Sequence, residues 1–173
     1  MTRWAADAAP GALGAPVGSG TARSWEQFFS QTDQAVFNTP DPERGSPEAM
    51  PAAFNHTIIP ATDRVVSARF YRELLEAEQA PSWGPFTNLT LADGVLLQFA
   101  EPPVEIQSHH YAFLVDDEHF DRAYALLCER GIPHWADPQM KRPGETNTEH
   151  GGRGVYLLDP AGHGLELITR PYL

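Results

Sequence analysis

The chain repeats itself. FNHTII, beginning at residue 54, and SHHYAFLV, beginning at residue 108, are short apolar runs of strand type, and they match when His56 is set against His110. At the far ends of the two stretches, DGVLLQF (93–99) lies against AGHGLEL (161–167) without a gap. Gly94 then meets Gly162, and Gln98 meets Glu166. Such self-similarity restricts the fold to two copies of one supersecondary unit, because related sequences with the same apolar pattern bury the same faces.

The unit can be read from periodicity. In the first half, FNHTIIP is a strand, and Asp63 caps an amphipathic helix with Val66, Phe70 and Leu74 on one face. Residues 86–91 and 95–99 are strands joined across Ala92-Asp93-Gly94. The second half has a strand from His109. Asp116 or Asp117 then caps a helix bearing Phe120, Tyr124 and Leu127, and Gly131 stops it. Residues 132–136, 154–158 and 164–169 are strands, the last two flanking an Asp159-Pro160-Ala161-Gly162 turn. The expected fold class is α+β: two βαβββ modules, about 53–106 and 107–173, forming a curved, partly open mixed sheet around a cleft. Residues 1–52 form a Pro/Gly/Ala-rich arm of non-regular structure, with a short helix near 24–37 opened by a Ser24-Trp25-Glu26-Gln27 capping box. Phe28 and Phe29 on that helix are expected to pack on the main domain or on a second subunit.

Charge excludes several functions. The net charge of −11 provides no basic face for a nucleic acid or for an anionic membrane. No apolar stretch reaches membrane-spanning length, and no apolar h-region follows the N-terminus, so a cytoplasmic location is expected. Cys128 stands alone, which rules out an intrachain disulfide, and its apolar helical setting suggests a packed thiol.

His56, Gln98, His110 and Glu166 each interrupt an apolar run, where a polar side chain needs a partner. Two imidazoles and a carboxylate form a ligand set that holds a divalent metal and leaves positions open. A strand histidine satisfied by a backbone carbonyl is the competing reading for each one singly. His109 should point to the opposite face from His110, as a packing residue, and His163 sits in a turn where a structural role is expected. Residues 140–154 form the longest polar insertion, a candidate lid carrying Lys141, Arg142, Glu145, Asn147, His150 and Arg153. His150 is the acid–base candidate there, and Arg153 a candidate for binding a phenolate or carboxylate. Trp83, Phe86, Trp135 and Tyr156 are candidates for an apolar slot that takes planar rings, with core packing as the alternative.

The spacing of His56, His110 and Glu166, the repeat, and the tail DPAGHGLELI resemble the vicinal oxygen chelate superfamily over residues 54–172. That superfamily includes glyoxalase I, extradiol dioxygenases and fosfomycin-resistance enzymes. HHYAFLV, HFDRAYALLCERGIPHWADP and GGRGVYLLDPAGHGLELITRPY are most similar to the subgroup typified by the ring-rearranging oxygenase of chartreusin biosynthesis. The resemblance implies His56, His110 and Glu166 as metal ligands, with Fe(II) favoured and Mn(II) or another divalent ion as alternatives. Gln98 stands where glyoxalase I has a fourth ligand, so it is expected to orient water or substrate instead. The implied activity is oxidative carbon–carbon cleavage or rearrangement of a polycyclic aromatic polyketide in antibiotic biosynthesis, using O2. Reduced flavin from a partner flavin reductase is a candidate source of activated oxygen. Alternatives are a Lewis-acid lyase, isomerase or thiol transferase, and a drug-binding resistance protein. A homodimer is expected; the sequence leaves open whether the site lies in one chain or is shared between two.

Overall fold

The computed structural model describes residues 52–173. The proposed arm and its short helix lie outside the described residues. Strand β1 (His56–Pro60) leads through Asp63 into α1 (Arg64–Leu75). The Asp63 side chain accepts from the backbone N–H groups of Val65 and Val66, satisfying two donors that the first helical turn leaves free. Strands β2 (Glu78–Ala80), β3 (Thr87–Thr90) and β4 (Leu96–Ala100) complete the first module. The second module runs β5 (His110–Leu114), α2 (Asp117–Arg130), β6 (His134–Trp135), β7 (Gly154–Leu158) and β8 (Gly164–Ile168). Its helix is capped by Asp116 and ended by Gly131 in the left-handed region at φ 62°.

Each module forms its own four-stranded mixed sheet, ordered β1-β4-β3-β2 and β5-β8-β7-β6. The registers coincide. In the first sheet, parallel pairing sets His56 beside Leu96 and Ile58 beside Gln98. In the second, it sets His110 beside Gly164 and Ala112 beside Glu166. The repeat read from the sequence is therefore a structural repeat at single-residue precision. The β3–β4 and β7–β8 turns also agree, with Gly94 at φ 84° and Gly162 at φ 86°, a conformation that favours glycine.

One core joins the modules. Ile59, Leu97 and Phe99 from the first sheet and Val155, Leu165 and Leu167 from the second are buried in a single cluster with Tyr71 of α1 and Phe120 of α2. The Tyr71 ring meets both Phe99 and Phe113 edge-on, with centroids 4.9 and 6.1 Å away. Strand side chains alternate between faces, so the faces carrying these core residues turn inward. The faces carrying His56 and Gln98, and His110 and Glu166, turn away from that core. Polar ties reinforce the junction: the Tyr71 hydroxyl donates to Asp159 at 3.0 Å, and His163 Nε2 meets the Pro60 carbonyl at 2.8 Å.

Two details differ from the sequence expectations. The buried stripe of α1 is Ser67, Ala68, Tyr71, Leu74 and Leu75, which leaves Val66 and Phe70 only half-buried. A tyrosine that can satisfy its hydroxyl on Asp159 takes the central position. Cys128 is exposed rather than packed. The buried residues of α2 are Phe120, Ala123 and Leu127, and Cys128 lies one position past that stripe.

Candidate metal centre

Strands β5 and β8 bring His110 and Glu166 together, with His110 Nε2 at 3.3 Å from Glu166 Oε2. Donors bound about 2.1 Å from a tetrahedral or octahedral cation stand roughly 3.0–3.4 Å apart, so the pair already has the separation of two cis ligands. The Glu166 side chain is 3% exposed and that of His110 is 55% exposed. A buried carboxylate beside a half-open imidazole suits an incoming cation, because a carboxylate removed from water gains most from a nearby counter-charge.

Glu166 lies in a row that crosses the second sheet: Trp135 opposite Tyr156, Tyr156 opposite Glu166, Glu166 opposite Ala112. Laterally paired residues share a face, so Trp135 and Tyr156 stand on the same face as the carboxylate. The Tyr156 and His110 rings stack at 6.4 Å. Burial, followed by hydrogen bonds to Glu166 and Tyr172, pushes the Tyr156 phenol well above its ordinary range.

Tyr172, which drew no attention in the sequence, donates its hydroxyl to Glu166 Oε1 at 2.6 Å. That bond to the carboxylate is the largest cause raising its pKa. His150 stacks on the Tyr172 ring, with centroids 4.4 Å apart, and so borders the site. No periodicity marks a tyrosine in an irregular tail.

The equivalent row of the first sheet is Ala80, Asn88, Gln98 and Ile58. Gln98 donates to Asn88 Oδ1 at 3.3 Å, and Asn88 in turn donates to the Pro81 carbonyl at 2.8 Å. Asn88, fully buried, is a second residue the sequence reading passed over. The β3–β4 register would have found it. His56 is exposed, and its Nδ1 lies 2.8 Å from Asn55 Oδ1, which leaves Nε2 for another partner. Trp83, half exposed, and Phe86, buried, lie between β2 and β3 of this module. They are not part of the row beside Glu166.

Within one chain the three expected ligands do not all meet. Among the described residues, no group of three His, Cys, Asp or Glu side chains is placed to hold a metal ion. The physical reason is the shared core: the two modules turn their helix-side faces toward each other and their histidine-bearing faces apart.

Arg153 also departs from expectation. Its side chain reaches Asp121 of α2 at 2.7 Å and covers the Phe120 ring at 4.3 Å, on the core side of the sheet. The insertion at 140–154 is tied down. Asn147, buried, donates to the Ala136 carbonyl at 2.8 Å and exchanges backbone hydrogen bonds with Gly154. Asp137 accepts from the backbones of Gln139, Lys141 and Arg142. Arg142 is engaged by Asp137, Glu149 and the Ala136 carbonyl. A cavity of about 510 Å³ between this loop and Tyr156 is lined by Asp137, Gln139, Lys141, Arg142 and Glu149. His109 bonds to the Tyr111 hydroxyl at 3.1 Å, away from the Glu166 row. His163 is structural as expected, but fully buried rather than capping at the surface. Its Nδ1 accepts from the His109 backbone N–H at 3.0 Å, which fixes the ring proton on Nε2 for the Pro60 carbonyl.

No family model matches the chain. The glutathione transferase FosA of Serratia marcescens is 32% identical over 121 residues, covering 66% of this chain and 79% of that protein. The solved structure of the oxidase ChaP-H2 is 45% identical with a TM-score of 0.68, over 71% of this chain and 97% of that one. The oxidase ChaP-H1 is 49% identical with a TM-score of 0.67, over 70% of this chain and 98% of that one. With the paired modules and matching registers, these likenesses define the class: the chain belongs to the vicinal oxygen chelate superfamily. Members of that superfamily are mostly enzymes and bind divalent metals. Within it, the chain is similar to the ChaP oxidases over nearly their whole length. No helix among the described residues is long and apolar enough to cross a membrane.

Proposed function

We propose that the protein is a metal-dependent oxygenase whose site is shared between two copies of the chain. His110 and Glu166 of one copy and His56 of the other hold a divalent ion, Fe(II) before Mn(II). The observation that carries this reading is the outward-facing His110–Glu166 pair at 3.3 Å, which has no third His, Cys, Asp or Glu ligand beside it among the described residues.

The topology supports the assembly. Among the described residues, β1 and β5, the strands bearing the two histidines, are both edge strands of their sheets. An unpaired edge invites another strand. Side-by-side pairing of β1 with β5 of a second copy makes a continuous curved sheet and brings His56 next to His110. A two-fold axis repeats the contact, so a dimer closes with two equivalent sites. Exposed apolar side chains on the second sheet, Leu114 at 59% and Leu158 at 39%, lie on the face such a partner covers.

A bound divalent ion would supply Lewis-acid activation of adjacent substrate oxygens and reaction with O2. The chain's own groups do the rest. Trp135 and Tyr156 present flat surfaces beside Glu166 for a planar ring system. Gln98, carried on the His56 face, offers its amide oxygen to a water or a substrate hydroxyl. His150, which packs on Tyr172 at the rim, would exchange protons with substrate. These features, with 45–49% identity to the two ChaP oxidases, support oxidative carbon–carbon cleavage or rearrangement of a polycyclic aromatic polyketide. Reduced flavin delivered by a flavin reductase fits as the external source of reducing equivalents.

The likeness to a glutathione transferase favours a second reading, in which the ion serves only as a Lewis acid for thiol transfer or lyase chemistry. Oxygen consumption separates the two. Anaerobically purified protein is loaded with Fe(II) and given polycyclic hydroxyquinones, with and without reduced flavin. O2-dependent product formation is the expected result. Turnover that persists under strict anaerobiosis, or that requires glutathione, overturns the oxygenase assignment.

A further inference from the structure

The two oxygens of Glu166 are divided between different partners. Oε2 faces His110 Nε2 at 3.3 Å, while Oε1 accepts the Tyr172 hydroxyl at 2.6 Å. The latter length is that of a charge-assisted O–H···O⁻ bond. The terminal torsion of a glutamate is soft and lets the two oxygens exchange places. A donor fixed on one oxygen removes that freedom.

The donor is itself held from two directions. The His150 ring packs against the Tyr172 ring at 4.4 Å, and His150 keeps a left-handed φ of 54° at this position. The Tyr156 hydroxyl stands 3.5 Å from that of Tyr172, at the outer limit of a hydrogen bond. Because Tyr172 gives its proton to Glu166, its oxygen is free to accept from Tyr156. Residues from the long insertion and from β7 thus meet on the Tyr172 side chain, which itself bonds this carboxylate oxygen.

We propose that Tyr172 is a positioning residue: the C-terminal tail latches Glu166 so that the carboxylate presents only Oε2 to a cation, with His150 and Tyr156 bracing the latch. The inference rests on the metal-site reading above and adds to it the denticity of the carboxylate. A one-oxygen carboxylate occupies one coordination position instead of two, which leaves one more for substrate or O2. Partners that orient a metal ligand in this way typically change affinity on the order of 10–100-fold when removed.

Mn(II) binding by the full-length protein, followed by electron paramagnetic resonance of the free ion, tests the latch. Tyr172→Phe keeps the ring and its packing on His150 but removes the hydroxyl. We expect its Kd for Mn(II) to rise on the order of 10–100-fold, with the metal-free protein still cooperatively folded and its unfolding temperature lowered only as far as the loss of one buried hydrogen bond requires. Deleting residues 172–173 should weaken binding to the same extent, since the hydroxyl carries the effect. Wild-type Kd in Tyr172→Phe overturns the latch and leaves the metal site standing. Weak binding accompanied by loss of the cooperative unfolding transition in the metal-free protein also overturns it, since the role is then structural. Absence of Mn(II) binding by the wild-type protein removes the metal site and the latch together.

Discussion

Gln98 and Glu166 occupy the same position in two copies of one unit. Each lies on the fourth strand of its module, opposite the residue two places after the first-strand histidine. The amide is tied to Asn88 at 3.3 Å, and the carboxylate to Tyr172 at 2.6 Å. The pseudo-symmetry thus provides two alike frames, and the chemistry differs because one carries a neutral amide and the other a carboxyl group.

That difference can be reversed. Gln98→Glu places a carboxylate where Asn88 Oδ1 now receives an N–H, so the metal-free protein should lose about 1–3 kcal/mol through an unsatisfied buried group. Divalent metal should then raise the unfolding temperature by more than in the wild type, because the new anion gains a partner. Thermal unfolding with and without Mn(II) measures both effects. Equal metal-induced shifts in the two proteins would remove Gln98 from the neighbourhood of the ion.

Arg153 makes its contacts on the core side of the sheet, with Asp121 at 2.7 Å and Phe120 at 4.3 Å. The Asp121 side chain is 66% exposed, so solvent screens the pair. Arg153→Met should therefore cost at most about 1 kcal/mol of stability and leave turnover and metal content unchanged. A large loss of turnover in a folded, metal-loaded variant would return Arg153 to the site.

Asp137 organises the loop beside Tyr156. Burial alone would raise its pKa, but backbone N–H donors from Lys141, Arg142 and Gln139, with the Arg142 charge, outweigh this and hold it below the ordinary 3.8. A depressed folded value means the carboxylate stabilises the loop above the ordinary aspartate pKa. That contribution falls away as pH drops below about 3.8 and through the folded value. Hydrogen exchange at the Lys141 and Arg142 amides, corrected for intrinsic rates, should accelerate in that window. It should already be fast at neutral pH in Asp137→Ala. Protection that is flat with pH would deny Asp137 this role.

His163 bridges the modules between the His109 N–H and the Pro60 carbonyl, at 3.0 and 2.8 Å. His163→Phe leaves two groups at the junction without that partner and should cost about 2–4 kcal/mol, read as a lowered urea midpoint. A loss under 1 kcal/mol, on the order of a surface substitution, would show that the junction does not depend on it.

The sequence carried those features in which a local rule repeats. Alternation and a gapless match paired His56 with His110 and Gln98 with Glu166, because strand register leaves a period-2 trace. Asp63, the Asp116-Asp117 pair and Gly131 announced the helix ends through capping chemistry, and the structure selects Asp116 as the cap. The choice of which faces would meet left no such trace. Both faces of each sheet bear apolar residues, and it is contacts such as those of Tyr71, set between Phe99 and Phe113, that reveal the joined helix sides. Arg153 was misplaced for a related reason: a lone arginine between glycines has no period from which to read its face. Tyr172 was missed because the tail after β8 is irregular, so only its folding back onto Glu166 gives it a role.

A site shared between two copies makes one demand that a site within a single chain does not. His56→Ala and Glu166→Ala chains, each unable to bind metal alone, are mixed, dissociated and reassociated, and bound Mn(II) is measured. In a mixed dimer, one site combines both lesions and the other has neither, so random pairing should restore about a quarter of the wild-type metal. Recovery to that level, with each parent empty, is the predicted result. A mixture that forms dimers and still binds no metal would contradict the sharing of His56 with the His110–Glu166 pair of a second copy.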